Sequence, residues 1–336
     1  MVPAAGPLTT KTAENAVNHA SPCTINGRYE AHYCPLTSLY LYLDHQNLNS
    51  MKFFLITTDH QSDRILFEDD EDFQVAMNYV AVAAFILKVN VLSFILMSNH
   101  VHFVIQCTEA EAKAFIDKFK QLFGHHYYKK YNVKGFLRKL GVDIQELKMG
   151  DESLHRGIAY TQMNCVAANI TPSPLVYPWG TGSIFFNAYT PEGTRLSSLS
   201  GREQCRTLKT NVKLPQNYYV CNNGYILPKF YVPFRFVESL FRTANRYSYF
   251  LNNSSKARKH KEKDSAPSFR DQIVRPAMRD LILSLFRETS IDNLSQEQRA
   301  ELMRQMQRRF SSDAKQLART SGLPLKEVDA LLNGFY

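Results

Sequence analysis

"SNHVHFVI" (residues 98–105) lies directly behind a second apolar run, "VNVLSFILM" (89–97). Both runs are rich in β-branched and aromatic residues, and the Ser-Asn pair between them is typical of a tight turn. The two runs therefore predict a pair of strands, with His100 and His102 near the start of the second one. Because residues two apart on a strand point to the same face, the two imidazoles should project side by side.

Two neighbouring imidazoles on one face of a strand have two interpretations. Histidines on strands usually pack or form hydrogen bonds without a chemical role. Neutral imidazole is also the commonest metal ligand, and a same-face pair supplies two such ligands. The pair alone leaves both interpretations open, and further ligands would have to come from elsewhere in the chain.

Composition bounds the class of protein. The chain has 336 residues, of which 44% are hydrophobic and 12% aromatic, which is typical of a soluble globular protein. No apolar run reaches 18 residues, so we expect no membrane-spanning helix. The 40 basic residues exceed the 31 acidic ones, and the net charge of +9 is compatible with a polyanionic partner.

The N-terminal region and the cysteines indicate the compartment. The first residues lack a basic region followed by an apolar core, so we expect a partly disordered extension over 1–48 rather than a signal peptide. Six scattered cysteines without a C-x-x-C pair argue against a zinc ribbon and against a disulfide framework. This cysteine usage favours the reducing cytoplasm.

Hydrophobic periodicity extends the fold outward from the strand pair. Residues 52–58 predict a further strand. Apolar residues at helical spacing predict three helices, over 68–89, 109–132 and 151–170. This order predicts an α+β domain over 49–190 with a mostly antiparallel sheet.

The second half of the chain divides into two regions. Residues 191–255 mix Tyr, Asn and Pro among short apolar runs, and we expect an irregular connecting region there. A basic, polar stretch over 252–268 predicts a linker. Beyond it the chain is charged and helical, so residues 256–336 predict a basic linker followed by an all-α domain.

Tyr160 and Asn164 lie four residues apart in the third predicted helix, so they should share one face. Together with His100 and His102, Asn164 would provide three metal ligands. Mixed nitrogen and amide-oxygen ligation suits Mg²⁺ or Mn²⁺ better than a structural zinc. The phenol oxygen of Tyr160 would then lie close enough to attack a phosphorus atom held at the metal.

These motifs resemble those of a known family. "LSFILMSNHVHFVIQ" (92–106) is similar to the histidine-hydrophobe-histidine (HUH) motif of single-tyrosine transposases. "IAYTQMNCVAANI" (158–170) and "YPWGTG" (177–182) resemble the Tyr-x-x-x-Asn helix and the Tyr-Pro-Trp of the REP-associated tyrosine transposases. "LITTDHQSDRILFEDDEDF" (55–73) is similar to the first strand and helix entry of that family, so the resemblance covers about residues 50–190.

The resemblance implies a fold, a site and a reaction. It implies a ferredoxin-like antiparallel sheet with helices on one face. By the same likeness His100, His102 and Asn164 are metal ligands and Tyr160 is the nucleophile. The implied activity is cleavage and rejoining of single-stranded DNA through a 5′-phosphotyrosine, with hairpin DNA of the REP type as the partner and a monomer or homodimer as the acting species.

Basic and aromatic residues cluster on and after the second predicted helix. Cations can contact phosphates and rings can stack on bases, so this cluster predicts a nucleic-acid surface beside the site. A solvated helix end favoured by the helix dipole is the alternative for any single lysine. The predicted DNA-binding residues in this cluster are Lys118, Lys120, Tyr127, Tyr128, Lys129, Lys130, Lys134, Arg138 and Lys139.

The C-terminal region contains a loose helix-turn-helix pattern over 313–332, with Gly322 in the turn. Residues 256–336 carry 16 Lys and Arg against 11 Asp and Glu, which favours DNA as a partner. Lys315, Arg319 and Lys326 are the predicted DNA-binding residues there, with the helix from about Leu325 as the DNA-binding helix. A plain three-helix packing unit is the alternative.

The sequence thus predicts a metal-dependent single-stranded DNA endonuclease or strand transferase. Two other functions remain open: a DNA-binding regulator that keeps the fold without cleavage, and a metal-dependent RNA endonuclease. A tyrosine nucleophile separates the last of these from the first, because it needs no 2′-hydroxyl and leaves a covalent adduct.

Overall fold

The computed structural model describes residues 51–61, 64–189, 192–255 and 269–334. The predicted extension over 1–48 and the linker residues 256–268 lie outside these ranges. The described residues form two hydrophobic cores. The larger one contains the sheet and continues to Phe250, and the smaller one is built by the C-terminal helices.

Four antiparallel strands form the sheet that carries the histidine pair. In chain order its elements are β1 (Lys52–Thr58), α1 (Asp70–Leu87), β2 (Asn90–Met97), β3 (His100–Cys107), α2 (Glu109–Tyr131) and β4 (Val142–Leu147). The strands lie in the order β2-β3-β1-β4, with every neighbouring pair antiparallel. The predicted α+β class with an antiparallel sheet is confirmed, and the connectivity is consistent with the ferredoxin-like topology.

Local capping explains where α1 and α2 begin and end. The Asp69 side chain accepts a hydrogen bond from the backbone of Asp72, and Thr108 with Glu111 forms a capping box. Such caps stabilise a helix by about 1 kcal/mol each. Both helices end at a residue in the left-handed conformation, Lys88 and Asn132. These bounds therefore depend on short-range chemistry that a sequence pattern can show.

Helices cover both faces of the sheet, whereas the sequence predicts them on one face only. Phe103 contacts Phe115 and Phe119 of α2, with ring centroids 5.2 and 5.3 Å apart. The preceding side chain on β3, His102, faces the other way and contacts Tyr160 of α3 (Ser153–Gln162). The expectation of one covered face is wrong, since nearly every side chain of β2 and β3 is buried, and this takes a covering layer on each face of the sheet.

The helix predicted over 151–170 is broken. It consists of α3 and a short α4 (Asn164–Ala167), separated at Met163, whose ψ is 3°. The Asn164 amide nitrogen donates to the carbonyls of Tyr160 and Thr161, at 2.9 and 3.2 Å. Side chains that bond back to helix carbonyls compete with the main-chain ladder and bend helices. Tyr160 and Asn164 therefore lie on two successive short helices.

The outer edge of β2 is closed by the segment that contains the Tyr-Pro-Trp motif. Leu96 donates its backbone N–H to the carbonyl of Trp179, and Thr181 donates to the carbonyl of Phe94. The Trp179 ring stacks on Phe73 of α1 with centroids 5.0 Å apart. This motif therefore protects a strand edge that would otherwise expose unpaired backbone groups.

Replacing Gly180 by Ala should destabilise this edge. A Cβ at Gly180 would lie 2.6 Å from the carbonyl oxygen of Phe94 and 3.2 Å from the Cα of Ile95. Both contacts are with backbone, so we expect a loss of about 1–3 kcal/mol in the free energy of unfolding. Urea denaturation measures this loss, with Gly150→Ala as the control because a Cβ at Gly150 meets nothing within 4 Å. Equal midpoints for the two variants would contradict the close approach.

Residues 192–255, predicted as an irregular connection, contain short regular elements. They are β5 (Gly193–Arg195), α5 (Gly201–Leu208), β6 (Tyr219–Cys221), α6 (Phe234–Phe241) and α7 (Ala244–Asn252). Asn78 of α1 holds the region in place, since its amide accepts from the backbone of Ile226 and donates to the carbonyl of Gly224. Strands of three residues and helices of eight or nine are too short to show a clear period in the sequence.

The C-terminal helices form the second core. They are α8 (Asp271–Leu281, continued by a π-helical turn over Ile282–Phe286), α9 (Gln296–Phe310), α10 (Ala314–Ser321) and α11 (Leu325–Asn333). Gly322 ends α10 with a φ of 81°, in the predicted turn. Ala318 and Val328 are fully buried between the helices. The predicted helical packing is present, and this packing does not decide what the unit binds.

Candidate metal centre and tyrosine

Three histidines meet at one end of the sheet. His100 and His102 point to the same face of β3, with ring centroids 4.8 Å apart. His60, two residues beyond β1, lies against His100 with centroids 3.6 Å apart. One ring nitrogen from each of the three lies within 4.8 Å of the others. The cluster therefore has the donor atoms and the spacing to hold a metal ion.

The two buried rings are held by neighbouring side chains. His102 Nδ1 is 2.9 Å from the hydroxyl oxygen of Thr57, its cross-strand partner on β1. His100 Nδ1 is 2.9 Å from the amide oxygen of Asn99. Partners at Nδ1 fix the orientation of a ring and make Nε2 the ligand atom. Both Nε2 atoms are buried.

His60 was missing from the predicted ligand set. Its position follows from strand register, because Thr57 lies opposite His102 and the chain just beyond β1 therefore runs beside the start of β3. The Asn99 amide donates to the carbonyl of Gln61, which holds this segment in place. In the sequence, His60 is a single histidine just after a predicted strand. Its closeness to the histidine pair cannot be inferred until the strand that pairs with β1 is known.

Tyr160 approaches the cluster from α3. Its ring meets that of His102 edge-on, with centroids 5.3 Å apart. Gln162, on the same helix, anchors α3 by donating to the hydroxyls of Ser93 and Thr181 at 2.6 and 2.7 Å. Burial raises the pKa of the Tyr160 phenol, so the free side chain is protonated at neutral pH.

Asn164, the predicted third ligand, lies in the next helix. Its amide nitrogen is committed to the carbonyls of Tyr160 and Thr161. One ring nitrogen each of His60, His100 and His102 forms a group that could hold a metal ion, and the role of the Asn164 amide oxygen as a ligand stays a prediction. The donor set also bears on the ion, because three imidazoles suit Mn²⁺, Zn²⁺ and similar ions better than Mg²⁺, which prefers oxygen ligands.

Several of the predicted DNA-binding residues have partners within the protein. Lys120 donates to the carbonyl of Leu140, and the Tyr127 hydroxyl donates to Glu68. Arg319 is paired with buried Asp271. These side chains contribute to packing of their helices.

Lys130 is also engaged, where the basic end of α2 meets the acidic start of α1. It pairs with Asp69, Glu71 and Asp72 at 2.7–3.1 Å. Burial lowers the pKa of Lys130, but the hydrogen bond to Asp69 and the charge of Asp72 outweigh burial, and the net shift is upward. Lys130 is therefore a charged member of a helix-to-helix contact.

The other predicted DNA-binding residues lie at the surface. Lys118 donates to the Gln121 side chain. The Lys134 ammonium lies 5.3 Å from the centre of the exposed Tyr128 ring. The exposed members of the predicted DNA-binding set are Tyr128, Lys129, Lys134, Arg138, Lys139, Lys315 and Lys326.

Comparison with known proteins finds little at the level of sequence. No family model matches the chain, and no curated protein matches it. One solved structure, a REP-associated tyrosine transposase bound to a REP hairpin, is similar at 9% identity with a TM-score of 0.30. The likeness covers 39% of this chain and 76% of that one.

No described helix is both long and apolar enough to cross a bilayer.

Proposed function

We propose that this protein is a metal-dependent nuclease of the HUH type that cleaves and rejoins single-stranded DNA, with Tyr160 as nucleophile. The observation that supports the proposal is the meeting of three histidines and a tyrosine at one place, with Tyr160 edge-on to His102 at 5.3 Å. A histidine cluster alone would fit a structural site equally well. A tyrosine that α3 holds against a ligand-type histidine is the added feature that fits phosphoryl transfer.

His60, His100 and His102 are the residues that would hold the metal. A bound divalent ion would polarise a phosphoryl oxygen and stabilise the charge that develops there. The His100 and His102 rings are pre-positioned by Asn99 and Thr57, and such outer partners typically contribute 10–100-fold to metal affinity or activity.

Tyr160 would carry out the covalent step. Its phenol oxygen forms a bond to phosphorus while the bond from phosphorus to the 3′ oxygen breaks. The phenol loses its proton, and the departing oxygen gains one to become a 3′-hydroxyl. A phenol is protonated at neutral pH, so a base must accept this proton when the tyrosine attacks. The reverse reaction rejoins the strand and releases the tyrosine.

A labelled hairpin oligonucleotide with single-stranded flanks tests the proposal. The full chain is incubated with it and Mn²⁺, and the products are separated on a denaturing gel. We expect a labelled protein–DNA adduct and a fragment with a free 3′-hydroxyl. Cleaved DNA without an adduct would contradict the tyrosine mechanism, and DNA binding without cleavage would favour the regulator.

An RNA hairpin of the same sequence separates the third function. A tyrosine nuclease does not use the 2′-hydroxyl, so we expect DNA to react at least as well as RNA. Cleavage confined to RNA, with a cyclic phosphate product, would identify an RNA endonuclease. Titration with Mg²⁺ in place of Mn²⁺ should require higher metal concentrations, because the three donors are imidazoles.

A further inference from the structure

The C-terminal half of α9 carries exposed cations. Residues 303–310 contain Arg304, Arg308 and Arg309 and no acidic residue. Arg304 pairs with Glu301 on the same helix, and Arg308 and Arg309 are exposed. The Arg309 Nε donates to the side-chain oxygen of Gln305, which orients its guanidinium. We call Arg308, Arg309 and Phe269, which packs on the C-terminal end of α9, the α9 patch.

The helix predicted to contact DNA, α11, has no net positive charge. Within α11, Lys326 is outnumbered by Glu327 and Asp329. Glu327 is paired with Arg299 at 3.0 Å, which leaves one cation and one anion, Lys326 and Asp329, on the exposed surface. A surface with no net positive charge does not release counterions from a phosphate backbone, so α11 lacks the main source of nucleic-acid affinity.

An exposed aromatic ring packs on the last residue of α9, the helix that carries these cations. Phe269 is 41% exposed and packs edge-on against Phe310, the last residue of α9, with centroids 5.4 Å apart. Its carbonyl accepts a hydrogen bond from the Gln316 amide at 2.6 Å. Single-stranded nucleic acid binds to surfaces that offer both exposed arginines and an exposed ring, with phosphates on the cations and a base on the ring.

Phe269, one member of the α9 patch, lies near the histidine cluster. Gln272, three residues from Phe269, donates to the carbonyl of Phe67, and its side-chain oxygen is 3.5 Å from the Ser98 hydroxyl. Ser98 is two residues before His100. A chain extends at most about 3.6 Å per residue, so Phe269 lies within roughly 11 Å of Gln272. A strand that leaves the histidine cluster in this direction would meet the patch after a few nucleotides.

We propose that the C-terminal helical unit binds the single-stranded segment next to the cleaved position, and that it does so through the α9 patch rather than through α11. Arg308 and Arg309 contact phosphates, and Phe269 stacks on a base. This inference rests on the proposed function for its substrate class, and it assigns the binding surface independently of cleavage.

Equilibrium binding without catalysis tests the inference. The full chain and its variants are titrated with a fluorescent hairpin carrying single-stranded flanks, in EDTA, over a range of salt concentrations. R308Q/R309Q should weaken binding about 10-fold and reduce the log–log salt slope by about 1.4, because each lost contact to a single strand accounts for about 0.7. K326Q, on α11, should leave both quantities unchanged.

A charge-matched control lies outside the C-terminal unit. R202Q/R206Q removes two exposed arginines from α5. Because these arginines lie outside the proposed contact, we expect the log–log salt slope to change much less than in R308Q/R309Q. Phe269→Ala should weaken binding to the flanked hairpin and leave binding to a blunt hairpin unchanged. Thermal melting of each variant checks that the fold is retained.

The outcomes separate this inference from the proposed function. Wild-type protein that does not bind the hairpin would overturn both. Wild-type binding that K326Q weakens more than R308Q/R309Q does would overturn the inference in favour of α11. Wild-type binding that is equal for all variants would overturn the inference, and the catalytic proposal would stand.

Discussion

Tyr160→Phe is expected to lower formation of the covalent protein–DNA adduct by a factor on the order of 10³ or more, to background. The substitution removes one oxygen and keeps the ring that meets His102 edge-on. The fold and the affinity for DNA should therefore change little. The size of the effect comes from the covalent mechanism, because loss of the nucleophile removes the step itself.

The measurement is single-turnover adduct formation with Mn²⁺, followed by mass spectrometry of the wild-type adduct. Tyr249→Phe is a matched control, since Tyr249 is 62% exposed on α7 and the same atom is removed. A nucleotide on the peptide that contains Tyr160 supports the mechanism. An adduct on another tyrosine would move the nucleophile elsewhere. Full cleavage by the Phe variant, with no adduct in the wild type, would indicate attack by water.

Loss of a histidine from the cluster should have the second-largest effect, on metal binding and on cleavage. His60→Ala and His102→Ala each remove a proposed metal ligand. Loss of a residue that only supports a ligand weakens metal binding about 10–100-fold, and we expect each of these two variants to weaken Mn²⁺ binding more than that. Cleavage should fall in parallel at limiting metal. His60 is the sharper test, because it is exposed and its removal leaves no cavity in the core, whereas His102 is fully buried.

Metal affinity is measured directly by calorimetry or by the electron paramagnetic resonance signal of free Mn²⁺, so the result does not depend on activity. Asn164→Ala is the comparison. If Asn164 serves its own helix, this variant should lose some stability through the backbone contacts of its amide and keep its metal affinity within a few-fold. A large loss of affinity in Asn164→Ala with none in His60→Ala would restore the predicted ligand set.

Thr57→Val tests whether the Thr57 hydroxyl helps to orient His102. It keeps the shape of the side chain and removes the hydroxyl 2.9 Å from His102 Nδ1. We expect metal affinity to fall about 10-fold, less than for the loss of a ligand. An unchanged affinity would show that packing alone orients His102.

The sequence by itself determined three of the four strands of the sheet, the first two helices and the histidine pair. The period of two over residues 98–105 placed His100 and His102 on one face, and apolar residues at helical spacing placed α1 and α2. Burial of Ala318 and Val328 around Gly322 was also evident in the C-terminal pattern. All of these depend on interactions between residues a few positions apart, which a local pattern records.

Only the tertiary structure decided which distant residues meet. His60 reaches His100 because Thr57 pairs with His102, and α3 covers the histidine face of β3 through the contact of Tyr160 with His102. Lys130 serves the start of α1 rather than remaining a surface cation. Register, facing and charge pairing between residues far apart in the chain are properties of the packed molecule, and no periodicity along a single segment encodes them.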